Sequence, residues 1–271
     1  MSVSSPDAQY VRELVHQRAA IVLDDTKLYL ITARLAPLAT VHGFGTIAEL
    51  VSAARGGRSL QDEVVEALTT NETSFFRDAA PFEALRRVVL PPLLAARATT
   101  RTLTIWSAAC STGQEPYSIA MLLLEHFPEL SSWNIRIIGT DLSTAALAKA
   151  KSATFRQLEL NRGLPAAFLV KYMERRGAEW QVKPDVRRRV ELAPLNLIGP
   201  WPLSLRPDIV FLRNVLIYFD RETKATLLAR VRSVMPLDGV LFLGAAESPL
   251  QLDDAWGREP FGTTSFYRRR A

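Results

Sequence analysis

The sequence predicts an α/β protein built on a doubly wound, mainly parallel sheet and preceded by an all-helical segment. Three observations predict it. Apolar residues in the first 70 positions recur at the helical period. From about residue 100, short runs that are apolar throughout ("LTIWSAA", "IRIIGTD", "DIVFLRN", "GVLFLGAA") alternate with helical stretches, as strands covered on both faces do. The small and polar residues gather just after those runs, where such sheets bind ligands.

Taken in order, Val11, Leu14, Val15 and Val22 form a first helical stripe, and Leu28, Ile31, Leu35 and Leu38 a second. Thr46 and Glu49 stand at capping-box spacing and open a third helix. Val64, Val65 and Leu68 predict a fourth after the turn-rich "RGGRS". Between the strands lie "EPYSIAMLLLEHF", "STAALAKAKSA" and "RETKATLLARVRSVM". In the last, Leu227, Leu228, Val231, Val234 and Met235 share a face, Asp220 is placed to cap the start, and Pro236 with Gly239 marks the end. Residues 154–190 interrupt the alternation. They are rich in charge, "EWQV" alternates, and Gly177 before it suits a hairpin, so this stretch reads as a small inserted β-subdomain. Its Arg175, Arg176 and Arg187 to Arg189 fit a solvated face or a binding patch equally well. The expected division is a helical domain at 1–70, a linker at 71–82 contributing to a ligand site, and an α/β domain at 83–271 with its insert at about 154–190.

The chain of 271 residues is 48% hydrophobic and 23% charged, which suits a packed core and excludes a disordered chain. No apolar run reaches the roughly 18 residues of a membrane span, and the first residues have no signal-peptide pattern. A cytoplasmic protein without direct membrane insertion is expected. One cysteine, Cys110, and three scattered histidines, His16, His42 and His126, predict neither an intrachain disulfide nor a metal site. A net charge of +5 calls for an acidic partner, whether nucleic acid, anionic lipid or a carboxylate-rich protein.

The chemistry begins at "WSAACSTGQEPYS", residues 106–118. Ser107, Ala108, Ala109, Ser111 and Gly113 are small enough to let backbone approach a ligand closely. A phosphate would also want a cation and free amides there. Glu115 places a carboxylate at the helix start instead, and Pro116 removes an amide, so the expected ligand is neutral or cationic. The next strand ends in Asp141, where an acid in such folds accepts hydrogen bonds from ribose hydroxyls. A nucleoside with no phosphate and a positive end describes S-adenosylmethionine. Taken singly, either acid could instead be a helix cap. Asn196 suits an adenine edge, and Arg213 and Asn214 are polar residues where an apolar strand stops. Tyr218 reads as a site residue one turn beyond Asn214 or as a core aromatic. In "TTNETSFFRD", Phe75 and Phe76 suit a staple between domains, whereas Asn71, Thr73 and Arg77 are harder to explain by packing.

With these residues in view, the whole chain resembles the chemotaxis receptor methyltransferase family, usually called CheR. The resemblance is carried by "TTNETSFFRD", "WSAACSTGQEPYSIA", "GTDLST", "APLNL", "FLRNVLIYFD" and "GAAESP", in family order from residue 71 to 249. It implies a Rossmann-like class I S-adenosylmethionine-dependent methyltransferase sheet with an N-terminal all-α helical domain and an inserted β-subdomain. It further implies transfer of a methyl group to glutamate side chains on the cytoplasmic signalling helices of chemoreceptors, giving γ-glutamyl methyl esters and S-adenosylhomocysteine. The cofactor residues so implied are Asn71, Thr73, Arg77, Glu115, Asp141, Asn196, Leu197, Arg213 and Asn214, with Glu115 at the cationic methionine end and Asp141 at the ribose. Arg77 and Tyr218 are the implied reaction-centre residues. No metal and no nucleic-acid partner are expected, and the chain is expected to act as a monomer.

Two departures from the family stand out. The insert's "MERRGAEWQV" is short and has one glycine where some members bind a receptor tail, and "DTKLYLITARLAPLATVHGFG" offers only Lys27, Arg34 and His42 where the family has a strongly basic second helix. Among other readings, a nucleic-acid or amide N-methyltransferase would carry a proline-pair turn after the strand, and a nicotinamide dehydrogenase a full glycine fingerprint. Neither is present. A non-catalytic S-adenosylmethionine-sensing module that binds a receptor is the remaining alternative.

Overall fold

The computed structural model describes residues 3–202 and 204–270. It resolves into two compact units, Met1–Thr70 with Tyr218–Thr223, and Asn71–Ile217 with Lys224–Ala271.

The first unit holds α1 (Ser5–Ala19), α2 (Leu28–Val41), α3 (Ile47–Gly56) and α4 (Arg58–Leu68). Their apolar stripes meet in a core that includes Val11, Val15, Ile31, Leu35, Leu50 and Val64, all fully buried. The first stripe stops earlier than its period predicts. Ala20 takes a left-handed conformation (φ 56°) and ends α1, so Val22 lies beyond the helix, where its N–H donates to the carbonyl of Tyr218 at 2.8 Å. Thr46 caps α3 as expected, accepting from the Glu49 N–H at 3.2 Å. The Glu49 carboxylate reaches back to the Gly45 N–H at 2.9 Å, one residue beyond the usual box. Asp220 belongs to this unit. It accepts from the Thr223 N–H at 2.7 Å and from His16 at 3.0 Å, and that amide bond, followed by the imidazole, lowers its carboxyl to about 2.

The second unit opens with α5 (Ala80–Ala84) and α6 (Leu90–Ala96), which run together through a π-helical turn at Leu85–Val89. Pro91 and Pro92 have no N–H to donate, and a widened turn just before them is a common accommodation. There follow β1 (Thr102–Ala108), α7 (Gln114–His126), β2 (Asn134–Asp141) and α8 (Thr144–Ser152). The inserted segment contributes β3 (Thr154–Arg156), α9 (Gln157–Leu160), α10 (Ala166–Tyr172), β4 (Met173–Arg176), β5 (Glu179–Val182) and α11 (Pro184–Arg187). The chain then returns through β6 (Val190–Pro194), β7 (Ile209–Leu212), α12 (Arg221–Val234), β8 (Val240–Leu243), β9 (Trp256–Phe261) and β10 (Thr264–Arg269).

The main sheet has the order β6-β2-β1-β7-β8-β10-β9. The first five strands are mutually parallel, β10 runs antiparallel to β8, and β9 antiparallel to β10. Chain direction across the sheet reverses between β1 and β7, and the crevice at such a reversal is the ligand position of open α/β sheets. Ile105, Val210, Phe211 and Phe242 are fully buried, and Phe211 stacks on Phe242 with centroids 4.6 Å apart. The C-terminal hairpin β9–β10 has no uniform apolar run, because β9, at the sheet edge, alternates between half-buried and exposed positions after the buried Trp256. In the insert, β3, β5 and β4 form an antiparallel sheet, and Gly177 (φ +62°) takes the first place of the two-residue turn between β4 and β5, the type II′ arrangement. Gly163 (φ +120°) lets the chain pass so close to the Phe75 carbonyl that a Cβ would lie 2.1 Å from its oxygen.

Candidate active site

The loop from β1 to α7 is built by conformations that bulky residues avoid. Ala109 (φ 57°), Ser111 (φ 51°) and Gly113 (φ 94°) all lie in the left-handed region, which turns backbone amides toward the strand ends. Gly113 has a second reason to lack a side chain, since a Cβ there would sit 2.9 Å from that of Ala150 on α8. Asp141, at the end of β2, holds the loop in place. One carboxylate oxygen accepts from the Ser111 N–H at 2.7 Å and the other from the Ser143 N–H at 2.8 Å. Ser143 in turn caps α8 through the Ala146 N–H. Asp141 is therefore a structural clamp on the loop, while the cap of α8 itself is Ser143.

Glu115 is not the lone anion that its place at a helix start suggests. One oxygen accepts from the Ser107 hydroxyl at 2.8 Å, the other from Arg213 at 3.0 Å. The Arg213 side chain is 2% exposed, and it also donates to Asp78 at 2.7 Å and to the Arg77 carbonyl at 2.9 Å. Two carboxylates against one guanidinium leave a net charge of −1, with donor and acceptor groups side by side. That combination suits the amino and carboxylate groups of a zwitterion and opposes a pyrophosphate. The segment supplying Asp78 is tightly bent, with Phe76 (φ 47°), Asp78 (φ 64°) and Ala79 (φ 35°) all left-handed. Its rings pack inside this unit: Phe75 meets Phe155 edge-on at 5.0 Å, and Phe76 meets Phe82 and Phe168 at 5.1 and 5.2 Å. The Asn71 carbonyl accepts from the Ser111 hydroxyl at 2.7 Å, which ties the linker to the loop. Thr73 lies on that same linker segment. The Arg77 guanidinium pairs with Glu72 at 3.1 Å, and Glu72 also pairs with Arg162.

Asn196 and Leu197 follow β6. The Asn196 side chain accepts from the Ile198 N–H at 3.1 Å, and the Leu197 carbonyl is held by Trp201 and by Arg230. Asn214 follows β7 in a left-handed conformation (φ 59°). Its N–H donates at 2.7 Å to Glu247, a buried carboxylate that also takes the Gly244 N–H at 2.6 Å and the Ile217 N–H at 3.3 Å. Burial pushes the Glu247 carboxyl up, against those amides. Glu247 lies in the "GAAESP" motif without having been singled out from it. An acid directly after a buried strand was the available signal. Cys110 is buried, and burial followed by the charges of Asp141 and Glu115 raises its thiol well above the usual range.

The structure thus brings Glu115, Arg213, the Arg77 carbonyl and the Asp78 carboxylate into one cluster, and Asp141 with Asn71 into a second around Ser111. Tyr218 is grouped with the helical unit, where it lines a small cavity with Val22, Leu30, Arg34 and Leu68. Arg34 donates to the Ala67 and Thr69 carbonyls at 3.2 and 2.6 Å, Lys27 pairs with Asp24, and His42 with Glu63.

A parallel sheet extended by an antiparallel hairpin, with Glu115 opening the helix after β1, Asp141 ending β2 and no phosphate-binding fingerprint, is the arrangement of a class I methyltransferase. Residues 71–260 match the family model of the CheR methyltransferase SAM-binding domain, and residues 6–69 that of the CheR methyltransferase all-alpha domain. The chain belongs to the CheR methyltransferase family. It is 41% identical over 262 residues to chemotaxis protein methyltransferase 1 of Pseudomonas aeruginosa, covering 94% of each chain. It is 39% identical over 263 residues to chemotaxis protein methyltransferase Cher2 of Pseudomonas putida, again covering 94% of each. To the chemotaxis protein methyltransferase of Vibrio parahaemolyticus it is 37% identical over 260 residues, covering 94% of this chain and 93% of that one. The protein is an enzyme that uses S-adenosylmethionine. Among the described residues no cluster of three or more potential ligands could hold a metal, and no helix is long and apolar enough to cross a membrane.

Proposed function

We propose that this enzyme methylates glutamate side chains on the signalling helices of chemoreceptors, giving γ-glutamyl methyl esters. The observation that carries the reading is that, among the described residues, the strand-end clusters hold no histidine and their carboxylates Glu115, Asp141 and Glu247 are already engaged by donors within the protein. The one thiol, Cys110, is held protonated by burial, and His126 stands at the carboxyl end of α7, away from the loop that carries Glu115. An acceptor that needs no deprotonation fits such a site. A glutamate carboxylate, with an ordinary pKa of ~4.3, is already ionised near neutral pH. The names of the relatives above, all chemotaxis methyltransferases, support the same choice.

When bound, S-adenosylmethionine supplies a methyl group made electrophilic by its sulfonium. In this reading Asp141 takes the ribose hydroxyls, and Asn196 with Leu197 borders the adenine. Glu115 faces the methionine ammonium, while Arg213, held between Glu115 and Asp78, faces the carboxylate. Asn71, Thr73 and Asn214 complete the enclosure, with Glu247 fixing the Asn214 backbone. Arg77 orients the acceptor by exchanging Glu72 for the incoming carboxylate through paired hydrogen bonds. Tyr218 is assigned to the acceptor by its motif. Alignment and exclusion of water then do most of the work, and positioning of this kind is worth on the order of 7 to 11 kcal/mol.

The test is incubation of the purified protein with labelled S-adenosylmethionine and a receptor signalling fragment, followed by mild base. Release of the label as methanol is expected, and Arg77→Ala should abolish turnover while binding S-adenosylhomocysteine normally. A base-stable label would sink the carboxylate assignment.

A further inference from the structure

Several surface cations in the second unit are matched by acids. Arg86 and Arg87 share Glu83, Arg136 pairs with Glu191, Lys171 with Glu125, and Arg176 with Glu174. Lys151 and Arg187 stand outside such pairs and close to each other. Lys151 in the last turn of α8 and Arg187 at the end of α11 have no acidic partner among the described residues, and Arg188 beside them is paired with Asp185 at 2.7 Å. All three border one open groove of about 450 Å³, and setting the single charge of Asp185 against their three leaves +2. The groove is lined below by Val190 and Leu192 of β6 and by the ring of Tyr117, whose hydroxyl is anchored to the Ala150 carbonyl at 2.8 Å.

We infer that this groove docks an acidic, amphipathic stretch of the protein substrate beside its methylated glutamate, with carboxylates on Lys151 and Arg187 and apolar side chains on Val190 and Leu192. The inference rests on the proposed glutamate specificity and extends it to a surface. Three observations favour this occupant. A substrate modified on carboxylates brings negative charge with it. The cations in and flanking α2 that the sequence marks for such contact are already engaged, Arg34 by backbone carbonyls, Lys27 by Asp24 and His42 by Glu63. Finally, the groove is open and its cations sit on long side chains above an apolar floor, which suits spaced charges on a helix, whereas a small anion is better held by buried, converging donors. Tyr117 lies two residues after Glu115 on α7, so a segment seated here runs along the flank of the helix whose first turn enters the candidate active site.

The test uses the full chain, labelled S-adenosylmethionine and the cytoplasmic signalling fragment of a methyl-accepting receptor. Reversing both charges, in Lys151→Glu with Arg187→Glu, should raise KM for the fragment by about tenfold or more while kcat and S-adenosylhomocysteine affinity stay within about twofold, since rim charges act on encounter. The milder Lys151→Gln with Arg187→Gln guards against misfolding and should give an intermediate KM. Wild-type KM should rise with salt and the reversed variant's should not. Wild-type esterification with unchanged KM in both variants would overturn the groove and leave the glutamate reading intact. No base-labile label on any receptor fragment with the wild type would overturn both. Inorganic phosphate or ATP binding the groove at concentrations that displace the fragment would make it a small-anion site and overturn the docking role.

Discussion

Replacing Arg213 by methionine tests whether the Glu115 cluster is held as described. The substitution keeps the length of the side chain and removes its charge. Glu115, whose side chain is 12% exposed, loses a 3.0 Å partner, and Asp78, 44% exposed, loses one at 2.7 Å. Breaking a buried ion pair from one side costs about 3 to 5 kcal/mol, because the remaining charge stays desolvated. The Asp78 contact adds at most about 1 kcal/mol, since water can replace it. A loss of roughly 3 to 6 kcal/mol follows for the second unit, equivalent to a fall in Tm of roughly 10 to 15 °C for a unit of this size. Calorimetry would read it. Adding Glu115→Gln should return a large part of the loss, because the buried charge then no longer needs a partner. A single variant within about 1 kcal/mol of the wild type, or a double variant no better than the single, would refute the buried-pair account.

Other expectations follow from single contacts. Gly163→Ala places a Cβ 2.1 Å from the Phe75 oxygen at φ +120° and should cost more than about 3 kcal/mol, read as a large drop in denaturation midpoint. Cys110, buried and with its thiol raised, should resist iodoacetamide at pH 8 in the native protein and react on unfolding, as followed by mass spectrometry. Asp220 has a folded-state carboxyl lowered to about 2, so the stability it contributes is present above its unfolded value of 3.8 and is lost as pH falls from there through about 2. Asp220→Ala should flatten the acid limb of the helical unit's unfolding profile across that window and remove a helix cap worth about 1 kcal/mol at neutral pH.

Much of the protein was determined by its sequence alone. Four helices, four uniformly apolar strands, the hairpin turn at Gly177 and the α12 cap at Asp220 depend on period, turn chemistry and capping, which act over a few residues and can be read within a few residues. The motifs carried the family, and small residues before Glu115 marked the loop. The partner of each site residue was decided only by tertiary structure. Glu115 reads as a lone anion until Arg213, 98 positions away, is seen to pair with it. That Asp141 also holds the Ser111 and Ser143 amides is visible only in the fold. Glu247 acquires its role because β7 and β8 are neighbours that bring Asn214 and Gly244 to one carboxylate. The edge strand β9 has no apolar run because half-buried and exposed positions alternate after Trp256, and Lys151 and Arg187 meet only where α8 and α11 border one groove. Electrostatic compensation acts through space between side chains that burial brings together, and no local period of the chain encodes which ones those are.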